Sequence, residues 1–78
     1  MDPEIIAQLA PVFKTIFQRE IDLSTPVTSK DFPDWDSFKH VTLMVEIERV
    51  FNIRFDGKSV AKMTTIEAIV QEIKDRQH

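Results

Sequence analysis

An all-α fold is the expectation for this sequence, and three observations predict it. Apolar residues recur at three- and four-residue spacing in three separate segments. Gly57 is the only glycine in 78 residues, so the chain lacks the turn residues that a β-rich fold uses. No apolar run alternates with polar residues for long enough to give a stable strand. The architecture expected is three main helices plus one short helix in a single domain over residues 1–78. A chain of this length buries only about 60% of the surface its unfolded form exposes, which leaves no room for a second domain.

The first helix begins where Asp2 precedes Pro3, a cap with proline at the first helical position. Ile5, Ile6, Leu9, Val12, Phe13, Ile16 and Phe17 carry the helical spacing to about residue 19. Pro11 falls inside this pattern, where it loses a backbone bond and crowds the preceding turn, so a bend near Ala10 or a second start is expected. From Glu20 to Asp36, Pro26, Pro33 and several Ser, Thr and Asp residues read as a long loop between helices 1 and 2, without regular structure. A loop of about 17 residues in so small a domain is either functional or tied down. Ile21, Leu23, Val27 and Phe32 are placed to return it to the core.

The second helix is expected from Ser37 to Phe51, and plotting it at about 100° per residue divides its apolar positions into two sectors. Leu43, Met44, Ile47, Val50 and Phe51 form the broad sector that packing requires, with His40 beside it as a partly buried histidine. Phe38, Val41 and Val45 form a second sector with Glu48 on its edge. Lys39, Thr42, Glu46 and Arg49 are left to water. A small domain rarely covers both apolar sectors of one helix, so Phe38, Val41 and Val45 are a candidate partner surface. Residues 52–56 are expected as an extended connector with Ile53 and Phe55 buried, and Gly57 to Met63 as a short helical turn with Val60 and Met63 inward. Thr64 and Glu67 make a capping-box pattern ahead of Ile66, Ile69, Val70 and Ile73, giving a last helix that ends among Lys74 to Arg76, where cations suit the dipole.

Ser37 is the candidate site residue, because it places a hydroxyl at a helix start. Amides without intrahelical acceptors and the positive end of the dipole make such a start a seat for a phosphate ester. The plainer reading is that Asp36 or Ser37 serves only as the N-cap. Other chemistry finds little support. No glycine-rich elbow surrounds Ser37, no acidic group stands out to orient His40, and a catalytic role for this chain is not expected. The chain has no cysteine, only two histidines, His40 and His78, and no calcium-loop spacing, so no metal site is expected. A net charge of -3 with dispersed cations gives no field for nucleic acid. With no leader-like segment and no apolar stretch near the roughly 18 residues a membrane span needs, a cytoplasmic protein without a membrane span is expected.

The sequence resembles the acyl carrier protein family, including its peptidyl and aminoacyl relatives. Asp36-Ser37-Phe38 is similar to the family's Asp-Ser-Leu, and Val41, Leu43 and Met44, the Glu46-Ile47-Glu48 segment, Phe51-Asn52-Ile53 and Met63-Thr64-Thr65-Ile66 follow the family pattern in order. The resemblance spans nearly the whole chain. It implies a four-helix bundle with one short helix, and covalent 4′-phosphopantetheine, taken from coenzyme A, on Ser37 with Asp36 beside it. It implies that the positions of Leu43, Ile47 and Phe51 face the core and those of Phe38, Val41 and Val45, with Glu48 at their edge, meet partners. Those partners would be a phosphopantetheinyl transferase, an acyl-loading ligase or transferase, and synthase or modifying enzymes acting on thioester cargo; family members act as monomers. The second helix departs from the pattern, with Lys39, Thr42 and Arg49 where acidic residues are common, and Trp35 stands before Asp36-Ser37 where a small residue is usual. That points to a specialised lipid, polyketide or related biosynthetic pathway rather than bulk fatty acid biosynthesis. An aminoacyl or peptidyl carrier and an unmodified helical interaction module are the alternatives.

Overall fold

In the computed structural model, which describes residues 2–23 and 27–77, the apolar spacing becomes four α-helices. These are α1 (Pro3–Phe17), α2 (Ser37–Phe51), α3 (Gly57–Lys62) and α4 (Ile66–Arg76). Among the described residues there is no strand, only an isolated antiparallel bridge between Thr28 and Thr65. No described helix is long and apolar enough to cross a membrane. α1 packs against both α2 and α4. Ile5, Leu9 and Phe13 of α1 meet Leu43 and Ile47 of α2, Met63, and Ile66, Ile69 and Ile73 of α4 in one continuous buried core.

α1 starts as expected, with the Asp2 carboxylate accepting from the amides of Glu4 and Ile5 and Pro3 in the first turn. Pro11 does not open a second helix. Ala7 and Pro11 both lie on the exposed face, so the carbonyl that the proline leaves without a donor faces water, while the opposite face holds the helix in the core. α1 ends at Phe17, two residues early, because Gln18 turns left-handed (φ 58°) and its N–H donates to the Lys14 carbonyl.

The connection from α1 to α2 is more ordered than its composition suggests. Ser29–Asp31 form a 3₁₀ turn, Leu23 and Val27 are buried, and Ile21 and Phe32 are half-buried. The Ser29 amide donates to the Thr64 carbonyl at 2.8 Å and the Ile66 amide to the Val27 carbonyl at 2.9 Å, so the connection is fastened to the start of α4. Pro26 and His78 lie outside the described residues.

Several local expectations need correction. Thr65, not Thr64, caps α4, its hydroxyl accepting from the Ala68 amide at 3.1 Å, because the Thr64 carbonyl is engaged by Ser29 and the chain stays extended through Thr65. Val50 is exposed rather than buried, lining an open depression with Gln8, Pro11, Val12 and Thr15 of α1. Ile53 and Phe55 are half-buried, with the Arg76 guanidinium 5.1 Å from the centre of the Phe55 ring. α3 buries no residue fully, and Val60 is its half-buried inward side chain.

Candidate functional site

The start of α2 is built by the five residues before it. Arg19, two residues past the end of α1, donates to Asp34 Oδ1 at 2.8 Å and lies 4.7 Å over the Phe32 ring. The Trp35 amide donates to the Phe32 carbonyl at 3.0 Å, turning the indole inward. There Trp35 is buried, edge-on to Phe13, Phe17 and Phe32 at centroid distances of 5.8, 5.7 and 6.2 Å. Asp36 is the N-cap, its carboxylate accepting from the Lys39 amide at 2.8 Å and its carbonyl from the His40 amide at 2.9 Å. Ser37 is therefore the first residue of α2 and is exposed. The amides of Ser37 and Phe38 open the helix, positions without an intrahelical acceptor.

His40 is half-buried, as its place on the wheel predicts, and both ring nitrogens are committed. The Trp35 indole N–H donates to Nδ1 at 3.0 Å, and Nε2 lies 2.7 Å from the Val60 carbonyl oxygen. A carbonyl can only accept, so the geometry assigns the proton to Nε2 and leaves Nδ1 as acceptor for the indole. Neither nitrogen is left to take a proton from Ser37. Instead His40 joins the residue two places before Ser37 to α3. Trp35 is the site residue whose part the sequence reading misses, although a lone tryptophan among phenylalanines, five places before a histidine, carries a trace of it. Ser37, Asp36, Trp35, His40 and Val41 line an open depression of about 330 Å³ together with Ser29 and Thr64.

Beyond Ser37, Phe38, Val41 and Val45 form an apolar stripe along α2, 78%, 58% and 58% exposed. Glu48 lies roughly 16 Å along the helix from Ser37 at 1.5 Å per residue. Its carboxylate accepts from the Phe55 amide at 2.8 Å. The side expected to be given to water is partly used: Lys39 Nζ donates to the Ile16 carbonyl at 2.9 Å at the end of α1, and Glu46 pairs with Arg49. At the start of α3 the Ser59 amide donates to Asp56 at 2.8 Å. That bond, helped by the Ser59 hydroxyl, Arg76 and Lys62, holds the Asp56 carboxyl below the usual carboxylate range. Among the described residues no three His, Asp or Glu side chains gather as a metal site would require. No protein-family model, curated protein or solved structure matches the chain.

Proposed function

We propose that this chain is an acyl carrier, with Ser37 as the attachment point of a 4′-phosphopantetheine arm. What carries the reading is an exposed hydroxyl at the first residue of α2, beside an open depression and at the head of an exposed apolar stripe. The surroundings suit the group. The helix start favours the single negative charge of a phosphodiester, and Asp36 turns its carboxylate into the cap rather than toward Ser37. On loading, the Ser37 oxygen would form a new bond to the β-phosphorus of coenzyme A, the phosphoanhydride bond would break, and 3′,5′-ADP would leave. The hydroxyl proton would go to a base of the separate transferase that catalyses the step.

When bound, the group supplies the thiol that this cysteine-free chain lacks, and cargo is held there as a thioester. The chain's own residues orient and present. Asp36 fixes the first turn, Trp35 and His40 hold the approach to it, and the stripe meets the enzymes to which cargo is delivered. Tethering raises the effective concentration of cargo at each partner. In this reading the helices form the carrier four-helix bundle, with α3 as its short member and residues 18–36 as its long connection. The protein works in the cytoplasm in a specialised biosynthetic pathway, as a monomer and without catalysing a step itself.

Intact-protein mass spectrometry after incubation with coenzyme A and a broad-specificity phosphopantetheinyl transferase tests the reading. One added phosphopantetheinyl group on the wild type and none on Ser37→Ala is the expected result. An equal gain on Ser37→Ala, or none on folded wild type with a transferase proven active on a control carrier, overturns it. The exposed stripe also suits an unmodified interaction module, the reading that the second outcome would favour.

A further inference from the structure

The open depression of about 330 Å³ that contains Ser37 is lined by residues of two kinds. Val41, Trp35 and His40 give it apolar surface. The two rings offer no free N–H there, because the indole donates to His40 Nδ1 at 3.0 Å and Nε2 is engaged by the Val60 carbonyl. Ser29 and Thr64 give it hydroxyl-bearing residues, both half-buried and both distant from Ser37 in sequence. Main-chain links bring them there: the Ser29 amide donates to the Thr64 carbonyl at 2.8 Å, and the Ile66 amide to the Val27 carbonyl at 2.9 Å. The lining is therefore set by the fold itself. Apolar surface with a few placed polar groups is the composition of a small-molecule site, and ordering it in advance reduces what a ligand loses on binding.

We propose that this depression is a cradle for the pantoyl end of the arm, with its geminal methyl groups against Val41 and the Trp35 and His40 rings and its hydroxyl and first amide hydrogen-bonded to the side chains of Ser29 and Thr64. The part of the arm next to the phosphate carries two geminal methyl groups, then a secondary hydroxyl, then an amide, and the depression offers apolar surface and hydroxyl groups to match. The neighbouring stripe does not: the side chains of Phe38 and Val45 have no hydrogen-bonding group for the hydroxyl and amide. A phosphodiester on Ser37 puts this end of the arm within a few bonds of the depression. The covalent link makes the contact intramolecular, so interactions too weak to hold free pantetheine suffice to bias where the tethered arm lies. The proposal rests on the carrier reading for the arm, and on the convergence of Ser29, Val41 and Thr64 beside Ser37 for its resting place.

The test is NMR spectroscopy of the full chain before and after incubation with coenzyme A and the transferase, with loading read by intact mass. In the loaded wild type the amides of Ser29 and Thr64, too far along the chain to sense the phosphate through bonds, are expected to shift. The geminal methyl protons should show nuclear Overhauser contacts to the methyl groups of Val41 and Thr64. Ser29→Ala combined with Thr64→Val removes both hydroxyls and keeps the amide and carbonyl that join the two segments. This variant should load as the wild type does, and its contacts from the arm to Val41 should weaken by about half or more. Should the double variant unfold, each single variant carries the same comparison. Shifts confined to residues 36–41, contacts from the geminal methyls to Phe38 and Val45 instead, or undiminished contacts in the loaded variants overturn the proposal. No gain of mass on folded wild type defeats the carrier reading and the cradle with it, whereas a gain of mass with shifts so confined defeats the cradle alone.

Discussion

Leu43, Met44, Ile47 and Phe51 on one side of α2 are buried, whereas Phe38, Val41 and Val45 on another side of the same helix stand in water. The two sets are equally apolar, so composition does not decide between them. Occlusion does: α1 lies across one side, and nothing among the described residues lies across the other. The difference separates two kinds of requirement, since the inner set is held by the stability of the fold and the outer set adds little to it. Exposed apolar residues gathered along one ridge are the kind of patch on which the proposed partner surface rests.

Paired truncations on the two sides of α2 should differ most. Leu43→Ala should cost about 2–5 kcal/mol in urea unfolding, as for a fully buried leucine. Phe38→Ala and Val45→Ala should each stay within about 0.5 kcal/mol of wild type. A Phe38→Ala cost near that of Leu43→Ala would mean that the ridge is covered after all. Next in size is His40→Leu, which leaves the buried indole N–H of Trp35 without its acceptor and should cost about 1–3 kcal/mol. Because Trp35 is the single tryptophan, its fluorescence reads the change directly, and an unaltered spectrum with unaltered stability would count against the contact.

Smaller again is Asp36→Ala, which removes the cap of α2 and should cost about 1 kcal/mol, while Ser37→Ala should leave stability nearly unchanged. Loss of stability in Ser37→Ala rather than in Asp36→Ala would exchange the roles of the two residues. The smallest effect lies at Asp56. Its carboxyl sits below its unfolded value in the folded chain, so its contribution is present above that unfolded value, about 3.9, and is lost as pH falls through the lower folded one. Amide shifts of residues 57–62 should change below about pH 4 in the wild type and stay flat in Asp56→Asn.

The helices were legible because their signals are local. Ser37 to Phe51 follows from spacing and a cap, and the two sectors of α2 emerge from angle alone. Where the reading failed, distant main-chain partners were responsible. The links from Ser29 to Thr64 and from Ile66 to Val27 use backbone groups that every residue carries, so side-chain chemistry gives no hint that they order the connection or move the α4 cap to Thr65. Val50 failed for a different reason, since the wheel gives direction but not the reach of the neighbouring helix. Ser37 was legible as an exposed helix start. The Trp35 to His40 contact beneath it was not, because it depends on a loop turning inward.

α3 is the shortest of the described α-helices, six residues from Gly57 to Lys62. Six residues without a fully buried side chain do not make a helix that persists alone, and this one is fastened from outside. His40 grips the Val60 carbonyl from α2, and Arg76 donates to the Ser59 hydroxyl at 2.9 Å and to the Arg54 carbonyl at 2.6 Å from α4. A segment held by two clasps is the natural first unit to open below the global unfolding transition, and hydrogen exchange should detect its amides well ahead of those of α2. When the first clasp releases, the imidazole loses one of its two anchors. Breathing of α3 is thereby transmitted to the indole packed under the Ser37 turn.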